Sequence, residues 1–121
     1  MCGIIGLFNN PEATEKTLSG LKILKNRGLD GYGLFDGKSI QTTKKLENLK
    51  KASGKNCVGH CLHSVVGNVK QPIKNSGILT ANCEIYNWKE LNKKYKLKAK
   101  NDSELLLKLL EKKKDLKKLL W

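Results

Sequence analysis

The stretch Met1-Cys-Gly-Ile-Ile-Gly-Leu-Phe8 opens the chain, and an apolar run of this kind predicts a β-strand buried on both faces. Asn9-Asn10-Pro11 then indicates a turn, and the leucine spacing that follows predicts a helix over residues 12–26. The opening run is too short for a membrane span and lacks the basic segment of a signal peptide. We therefore expect a cytoplasmic protein whose four cysteines are free thiols.

Length and charge limit the possible functions. A chain of 121 residues fits one domain. Its formal net charge is +13, and Arg27 is the only arginine among its 24 basic residues. Such a charge can attract nucleic acids or anionic membranes. However, nucleic-acid readers depend on arginine and on aromatic stacking platforms, which this sequence does not interleave with its lysines. We expect a solvated, lysine-rich surface and no nucleic acid or membrane as partner.

The remaining segments place strands early and helices late, which is typical of an α+β protein. Three glycines predict an extended loop at Arg27–Gly33, and Asp36-Gly37 predicts a hairpin turn between two short strands. Further along, the patterns predict a short charged helix at Lys44–Ala52, strands at Cys57–Val66 and Gly77–Ile85, and helices at Asn87–Tyr95 and Ser103–Lys114, the last capped by Asn101-Asp102-Ser103.

Cys2 is the candidate nucleophile. If the initiator methionine is removed, Cys2 carries both a thiol, with an ordinary pKa of about 8.5, and a free α-amine, with an ordinary pKa of about 7.7–8.0. That amine can take the thiol proton near neutral pH and return it to a leaving group, so one residue supplies nucleophile and base. A cysteine in a buried strand is otherwise most often a packing residue.

Five segments in order resemble the class II, N-terminal-nucleophile glutamine amidotransferases, most closely the glutaminase domain of asparagine synthetase. They are Met1–Phe8, Arg27-Gly-Leu-Asp-Gly-Tyr-Gly33, Gly59-His60 with Gly67 beyond, Gln71-Pro72 with Asn82-Cys-Glu-Ile-Tyr-Asn87, and Asn101-Asp-Ser-Glu104. The resemblance covers the whole chain. It implies an αββα sandwich of antiparallel sheets in which residues 1–121 form a single, partial domain whose C-terminal part is missing.

The resemblance also assigns residues to roles. It implies Cys2 as nucleophile and base, with the Asn82 side chain and the Cys83 backbone N–H as the oxyanion hole. Asp102 and Glu84 are implied to bind the α-ammonium group of glutamine; the alternative, which the resemblance disfavours, is that Asp102 only caps its helix and Glu84 is an exposed charge on a strand. The rest of the implied glutamine pocket is the segment Leu62, His63, Ser64, Val65 and Val66.

Leu62 departs from the family pattern, because it stands where the family has an arginine that grips the substrate's α-carboxylate. His63 or a lysine could substitute without reproducing the planar fork. This departure leaves three alternatives open: glutamine binds differently, the preferred substrate differs, or the site is weakened. The last includes a catalytically silent subunit of the same fold that binds or regulates a partner.

A metal-binding module is the rival from another class. Cys57, His60, Cys61 and His63 are all competent zinc ligands within seven residues. On a strand, however, His60 faces away from the other three side chains.

The sequence therefore predicts hydrolysis of L-glutamine to glutamate and ammonia through a Cys2 thioester, with no metal or organic cofactor. We expect the ammonia to pass to a synthetase or synthase partner, or to a polypeptide that completes the domain. An asparagine synthetase-like acceptor fits best, and glutamate synthase-like or other acceptors remain open.

Overall fold

The computed structural model describes residues 1–64 and 69–112. Within them the chain forms two compact units, one built from Met1–Pro72 with Thr80–Asn82 and the other from Ile73–Leu79 with the residues from Cys83 onward. In this part of the chain no helix is both long and apolar enough to cross a membrane.

The first unit is a four-stranded antiparallel sheet with one helix. The strands are β1 (Gly3–Leu7), β2 (Gly31–Phe35), β3 (Ile40–Thr43) and β4 (Cys57–Leu62), in the spatial order β1-β4-β2-β3. Helix α1 spans Ala13–Leu24 and continues as a short 3₁₀ turn, Lys25–Arg27.

Helix α1 packs on the sheet and forms the core of this unit. Its Ala13 and Leu21 are fully buried, and they join Leu34 of β2 and the two cysteines of β4, Cys57 and Cys61. Burial of this apolar surface is the main stabilising contribution to the unit.

The predicted double burial of β1 is wrong. Among the described residues, strand β1 pairs with β4 at one edge of the sheet. Ile5 and Leu7 pack on the core, whereas on the opposite face Ile4 is 47% exposed. An apolar run cannot by itself show whether both faces of a strand are covered.

The glycine-rich segment is partly strand rather than loop. The hairpin between β2 and β3 is confirmed, but β2 begins at Gly31, inside the predicted loop. Gly33 permits the close approach of the Gln71 backbone to β2, because a Cβ at position 33 would lie 1.6 Å from the Gln71 carbonyl oxygen.

The predicted helix at Lys44–Ala52 is also wrong, since only a 3₁₀ turn forms, at Leu46–Asn48. The side-chain amide of Gln41 explains the difference. It accepts from the Lys50 N–H at 2.7 Å and donates to the Lys50 carbonyl at 3.0 Å, holding the segment extended along β3.

The second unit contains a two-stranded sheet and two helices. Strands β5 (Ile73–Lys74) and β6 (Ile78–Leu79) pair antiparallel. The predicted strand at Gly77–Ile85 is mostly wrong, because only its residues Ile78–Leu79 form a strand. Helices α2 (Trp88–Tyr95) and α3 (Asp102–Lys112) confirm the two predicted helices within the described residues.

Helix α3 begins as predicted. The Asn101 side chain accepts from the Glu104 N–H at 2.9 Å, which satisfies one of the unpaired donors at the helix start. Leu105 and Leu109 of α3 are buried against a cluster of partly buried residues from the preceding segments, namely Ile85, Trp88, Leu91, Tyr95 and Leu97.

Candidate active site

The thiol of Cys2 lies against the backbone of His63. The His63 N–H donates to Sγ at 3.3 Å, and the Cys2 thiol donates to the His63 carbonyl oxygen at 3.5 Å. Cys2 is partly exposed, and its thiol is free. The structure therefore brings the predicted nucleophile together with His63, a residue of the predicted glutamine pocket.

The segment that follows β4 is fixed by the loop before β2. The Asp30 N–H donates to the Leu62 carbonyl at 3.0 Å, and the Asp30 carboxylate accepts from the Ser64 N–H at 2.7 Å. The same carboxylate lies 4.0 Å from Nδ1 of His63. These contacts hold Leu62–Ser64 against Cys2, whereas Val65 and Val66 lie outside the described residues.

Gly28 lets this loop reach the pocket backbone. A Cβ at Gly28 would lie 2.5 Å from both the carbonyl carbon and the carbonyl oxygen of Leu62, and 2.8 Å from the His63 nitrogen. Such distances are far below ordinary contact, so only glycine fits without displacing the backbone. The backbone of Gly28 itself is extended, with φ of −167°, and any residue could adopt it.

Arg27 completes the surroundings of Cys2. Its Nε donates to the Cys2 carbonyl oxygen at 3.5 Å. Together with Met1, Asn26 and His63, all of them exposed, it lines an open depression in the surface of about 350 Å³. The Arg27–Gly33 segment was predicted only as a loop that resembles the family motif, and no site role was predicted for Arg27, Gly28 or Asp30. The motif itself was the signal that could have identified them.

Leu62 is buried at 6% exposure. An apolar side chain carries no charge for a substrate carboxylate. The structure therefore places at this position neither a cation nor a hydrogen-bond donor beyond the backbone.

The other predicted site residues belong to different units: Asn82 to the first, and Cys83, Glu84 and Asp102 to the second. In the first unit Asn82 is exposed. In the second unit the Cys83 thiol lies 3.6 Å from the Ser103 hydroxyl, and Glu84 is exposed, with its carboxylate accepting from the Tyr86 hydroxyl at 3.4 Å.

Asp102 is buried at 7% exposure, and both its carboxylate oxygens accept backbone hydrogen bonds. One accepts from the Ser103 N–H at 2.8 Å and the other from the Ile85 N–H at 3.2 Å. Asp102 therefore ties the segment after Glu84 to the start of α3. This structural role is observed, and its predicted contact with the substrate ammonium group stays a prediction.

The four Cys and His residues proposed as a rival metal site are dispersed. Cys61 faces α1, where its thiol lies 3.8 Å from the Leu21 carbonyl oxygen. His60 is fully buried, and burial lowers its pKa to about 4, with a small opposing effect from the Ala81 backbone nearby. Among residues 1–64 and 69–112, no group of three or more His, Cys, Asp or Glu side chains could hold a metal ion.

Residues 1–118 match the family model described as glutamine amidotransferase domain. The chain belongs to the glutamine amidotransferase family. It is 30% identical over 132 residues to a glutamine–fructose-6-phosphate aminotransferase (isomerizing) of Streptococcus agalactiae, a match that covers 92% of this chain and 22% of that protein. A match to the amidophosphoribosyltransferase of Bacillus subtilis is 31% identical and covers 54% of this chain and 16% of that protein. The amidotransferase chain thus spans about a fifth of the length of these relatives.

A solved structure shows the fold. Glutamine phosphoribosylpyrophosphate amidotransferase from B. subtilis, complexed with ADP and GMP, superposes with a TM-score of 0.69 at 22% identity, covering 93% of this chain and 30% of that one. The predicted α+β class with antiparallel sheets of the N-terminal-nucleophile type is confirmed.

Proposed function

We propose that this amidotransferase domain hydrolyses L-glutamine to glutamate and ammonia, with Cys2 as nucleophile. Membership of the family supports the reaction class. The observation that carries the assignment to Cys2 is the placement of its partly exposed thiol between the N–H and the carbonyl of His63.

The reaction begins after removal of Met1. The α-amine of Cys2 takes the thiol proton, and the sulfur attacks the side-chain amide carbon of glutamine, forming an S–C bond. The negative charge on the amide oxygen is stabilised by the Asn82 side chain and the Cys83 N–H, as the resemblance implies. The C–N bond then breaks, and the α-amine returns the proton to the departing nitrogen, which leaves as ammonia.

Water completes the cycle. It attacks the thioester carbon, the S–C bond breaks, and one proton of the water returns to the sulfur as glutamate leaves. Glu84 and Asp102 are proposed to bind the α-ammonium group of the substrate. The proposed reaction uses no metal or organic cofactor, because amine, thiol and amide donors supply each step.

The ammonia acceptor is proposed to be a synthetase or synthase partner. The two relatives named above are an aminotransferase and a phosphoribosyltransferase much longer than the matched segment, which supports an acceptor enzyme in the same or another polypeptide. An asparagine synthetase-like acceptor rests on the Asn82–Asn87 motif alone. We also propose a cytoplasmic location, which the free thiols of all four cysteines support.

A glutaminase assay tests this function. Purified full chain, with and without a candidate partner, is incubated with L-glutamine, and glutamate and ammonia are both quantified. We expect equal amounts of the two products and complete loss of both in Cys2→Ala. Cys83→Ala is the matched control, since its proposed role uses the backbone N–H, and we expect it to retain activity. Turnover by Cys2→Ala would refute the mechanism.

A silent binding subunit is the second candidate, and buried, uncharged Leu62 favours it. This candidate predicts that an electrophilic glutamine analogue leaves Cys2 unmodified even when a partner is present. Stoichiometric labelling of Cys2 would exclude it.

A further inference from the structure

The side chain proposed to stabilise the oxyanion lies on a segment without regular secondary structure. Residues Thr80–Asn82 form no strand or helix, and Asn82 itself is exposed. A donor that stabilises a developing charge is most effective when it is held in place before the reaction, so that no reorganisation is needed during it. The backbone that carries Asn82 therefore needs a support other than a strand ladder.

The side chain of Gln71 provides such a support. The N–H of Ala81, the residue before Asn82, donates to Oε1 of Gln71 at 2.7 Å. Gln71 and Ala81 are both buried, so water does not compete for this hydrogen bond. A buried N–H that lost its acceptor would cost about 1–3 kcal/mol, which keeps the Ala81 backbone bound to the Gln71 side chain.

Gln71 is in turn fixed against the sheet. A Cβ at Gly33 of β2 would lie 1.6 Å from the Gln71 carbonyl oxygen, so the Gln71 backbone packs directly on this strand. Gly33 is paired with His60 of β4, and residues opposite each other on neighbouring strands share one face of a sheet. Since the adjacent Cys61 faces α1, Gln71 packs on the face turned away from that helix.

His60 lies beside Ala81 on the same face. Its side chain is fully buried, and within residues 1–64 and 69–112 neither ring nitrogen has a hydrogen bond of ordinary geometry. Burial lowers the pKa of His60 to about 4, and the nearby Ala81 backbone opposes this effect. The ring is therefore uncharged at neutral pH, and Ala81 is held between a neutral imidazole and the Gln71 amide.

We propose that Gln71 is a positioning residue, which holds the Ala81 backbone against the sheet and thereby aims the Asn82 amide at the oxyanion. This inference rests on the proposed glutaminase function. Gln71 acts through Asn82 and makes no contact with the substrate. Loss of the Gln71 acceptor weakens the stabilisation of the tetrahedral intermediate, while the Cys2 thiol keeps its contacts with His63.

Steady-state kinetics of Gln71→Met tests this role, because methionine is similar in length but has no oxygen acceptor. We expect kcat for glutamine hydrolysis to fall by roughly 10- to 100-fold, the cost of a misplaced catalytic group. KM should change little, since the lost interaction belongs to the transition state. The rate at which iodoacetamide modifies Cys2 should equal that of the wild-type chain.

Gln41→Met is the matched control. The Gln41 side chain also bonds to backbone groups, the N–H and the carbonyl of Lys50 at 2.7 Å and 3.0 Å, but it lies on β3. This variant should lower the free energy of unfolding and leave kcat unchanged. Equal losses of kcat in Gln41→Met and Gln71→Met would overturn the inference.

A double-mutant cycle with Asn82→Ala shows whether Gln71 acts through Asn82. Asn82→Ala alone should reduce kcat by roughly 100- to 1,000-fold, the cost of one oxyanion donor. If Gln71 acts through Asn82, adding Gln71→Met to Asn82→Ala reduces kcat no further. Losses that multiply in the double variant would show that Gln71 acts elsewhere, and they would overturn the inference.

Amide hydrogen exchange decides the inference if the wild-type chain hydrolyses no glutamine, in which case the proposed function fails, or if Gln71→Met does not fold. Ala81 lies in no strand or helix, and Gln71 is the acceptor of its N–H. In the wild-type chain we expect the Ala81 amide to exchange as slowly as the paired amides of β4. Exchange of Ala81 at the rate of an unstructured amide, or exchange that Gln71→Met leaves unchanged, would overturn the inference.

Discussion

Replacing Gly28 with alanine tests whether the loop before β2 positions the nucleophile. The new Cβ would lie 2.5 Å from the Leu62 carbonyl group, whereas ordinary contacts between carbon atoms are about 3.5–4.0 Å. The loop and the Leu62–His63 backbone must therefore separate by about 1 Å. Leu62 is paired to Gly31 within the sheet, so the movement falls on His63 and on the loop itself.

Either movement disturbs Cys2. A shift of His63 lengthens the 3.3 Å contact from its N–H to the sulfur, and a shift of the loop removes the Arg27 contact to the Cys2 carbonyl. Misplacement of a reacting group by about 1 Å can cost roughly 100-fold in rate. The overpacked contact should also lower the free energy of unfolding by about 1–3 kcal/mol.

The assay measures the rate at which an electrophilic glutamine analogue modifies Cys2, together with urea unfolding. Gly31→Ala is the matched control, because its Cβ would meet its nearest neighbour, the Thr43 carbonyl oxygen, at an ordinary 3.6 Å. We expect Gly31→Ala to stay within about 1 kcal/mol and a few-fold of wild type. If Gly28→Ala and Gly31→Ala behave alike in both measurements, the proposed positioning role of the loop is wrong.

Three further predictions follow from buried groups. Burial raises the pKa of Cys61 to about 11. In the folded chain at pH 8, iodoacetamide should therefore modify Cys2 and leave Cys61 unmodified until urea is added. Peptide mapping of the alkylated protein measures both. Burial lowers the pKa of His60 to about 4, below its ordinary 6.5. Between these two pH values the unfolded state binds more protons than the folded state. The free energy of unfolding should therefore fall by up to about 3 kcal/mol as the pH drops from 6.5 to 4. His60→Phe should remove this part of the pH dependence of urea unfolding, and an unchanged slope would contradict the assignment. Asn101→Ala should lower the free energy of unfolding by about 1 kcal/mol through loss of the bond to the Glu104 N–H, whereas Asn101→Asp should retain most of it.

The sequence predicted elements well where local signals and packing agree. Helices α1, α2 and α3 form where the apolar spacing predicts them, and α1 and α3 bury leucines of that spacing, Leu21 in α1 and Leu105 and Leu109 in α3. Asn101 caps α3 as its residue type suggests. The β2–β3 hairpin follows from Asp36-Gly37, where Gly37 adopts a φ of +93° that favours glycine.

Predictions failed where distant residues decide the conformation. The Lys44–Ala52 segment is held extended by the Gln41 side chain, and the chain after β6 donates from Ala81 N–H to the Gln71 side chain at 2.7 Å instead of continuing a ladder. Such contacts join positions well apart in sequence, and local propensity contains no information about them.

In the candidate site, too, residues within motifs were predicted and contacts between distant segments were not. The order of motifs identified Cys2 and the segment beginning at Leu62, and the structure brings Cys2 and His63 into contact. The roles of Gly28 and Asp30 depend on a close approach of backbones, which appears only once the loop is folded against the pocket.

The measurement that tests the central claim most directly is the intact mass of the mature protein before and after reaction with an electrophilic glutamine analogue. We predict a chain that lacks Met1 and gains a single adduct, located on Cys2, with prior addition of glutamine slowing the modification. A chain that retains Met1, or whose adduct lies on another residue, would contradict the assignment of Cys2 as nucleophile and base.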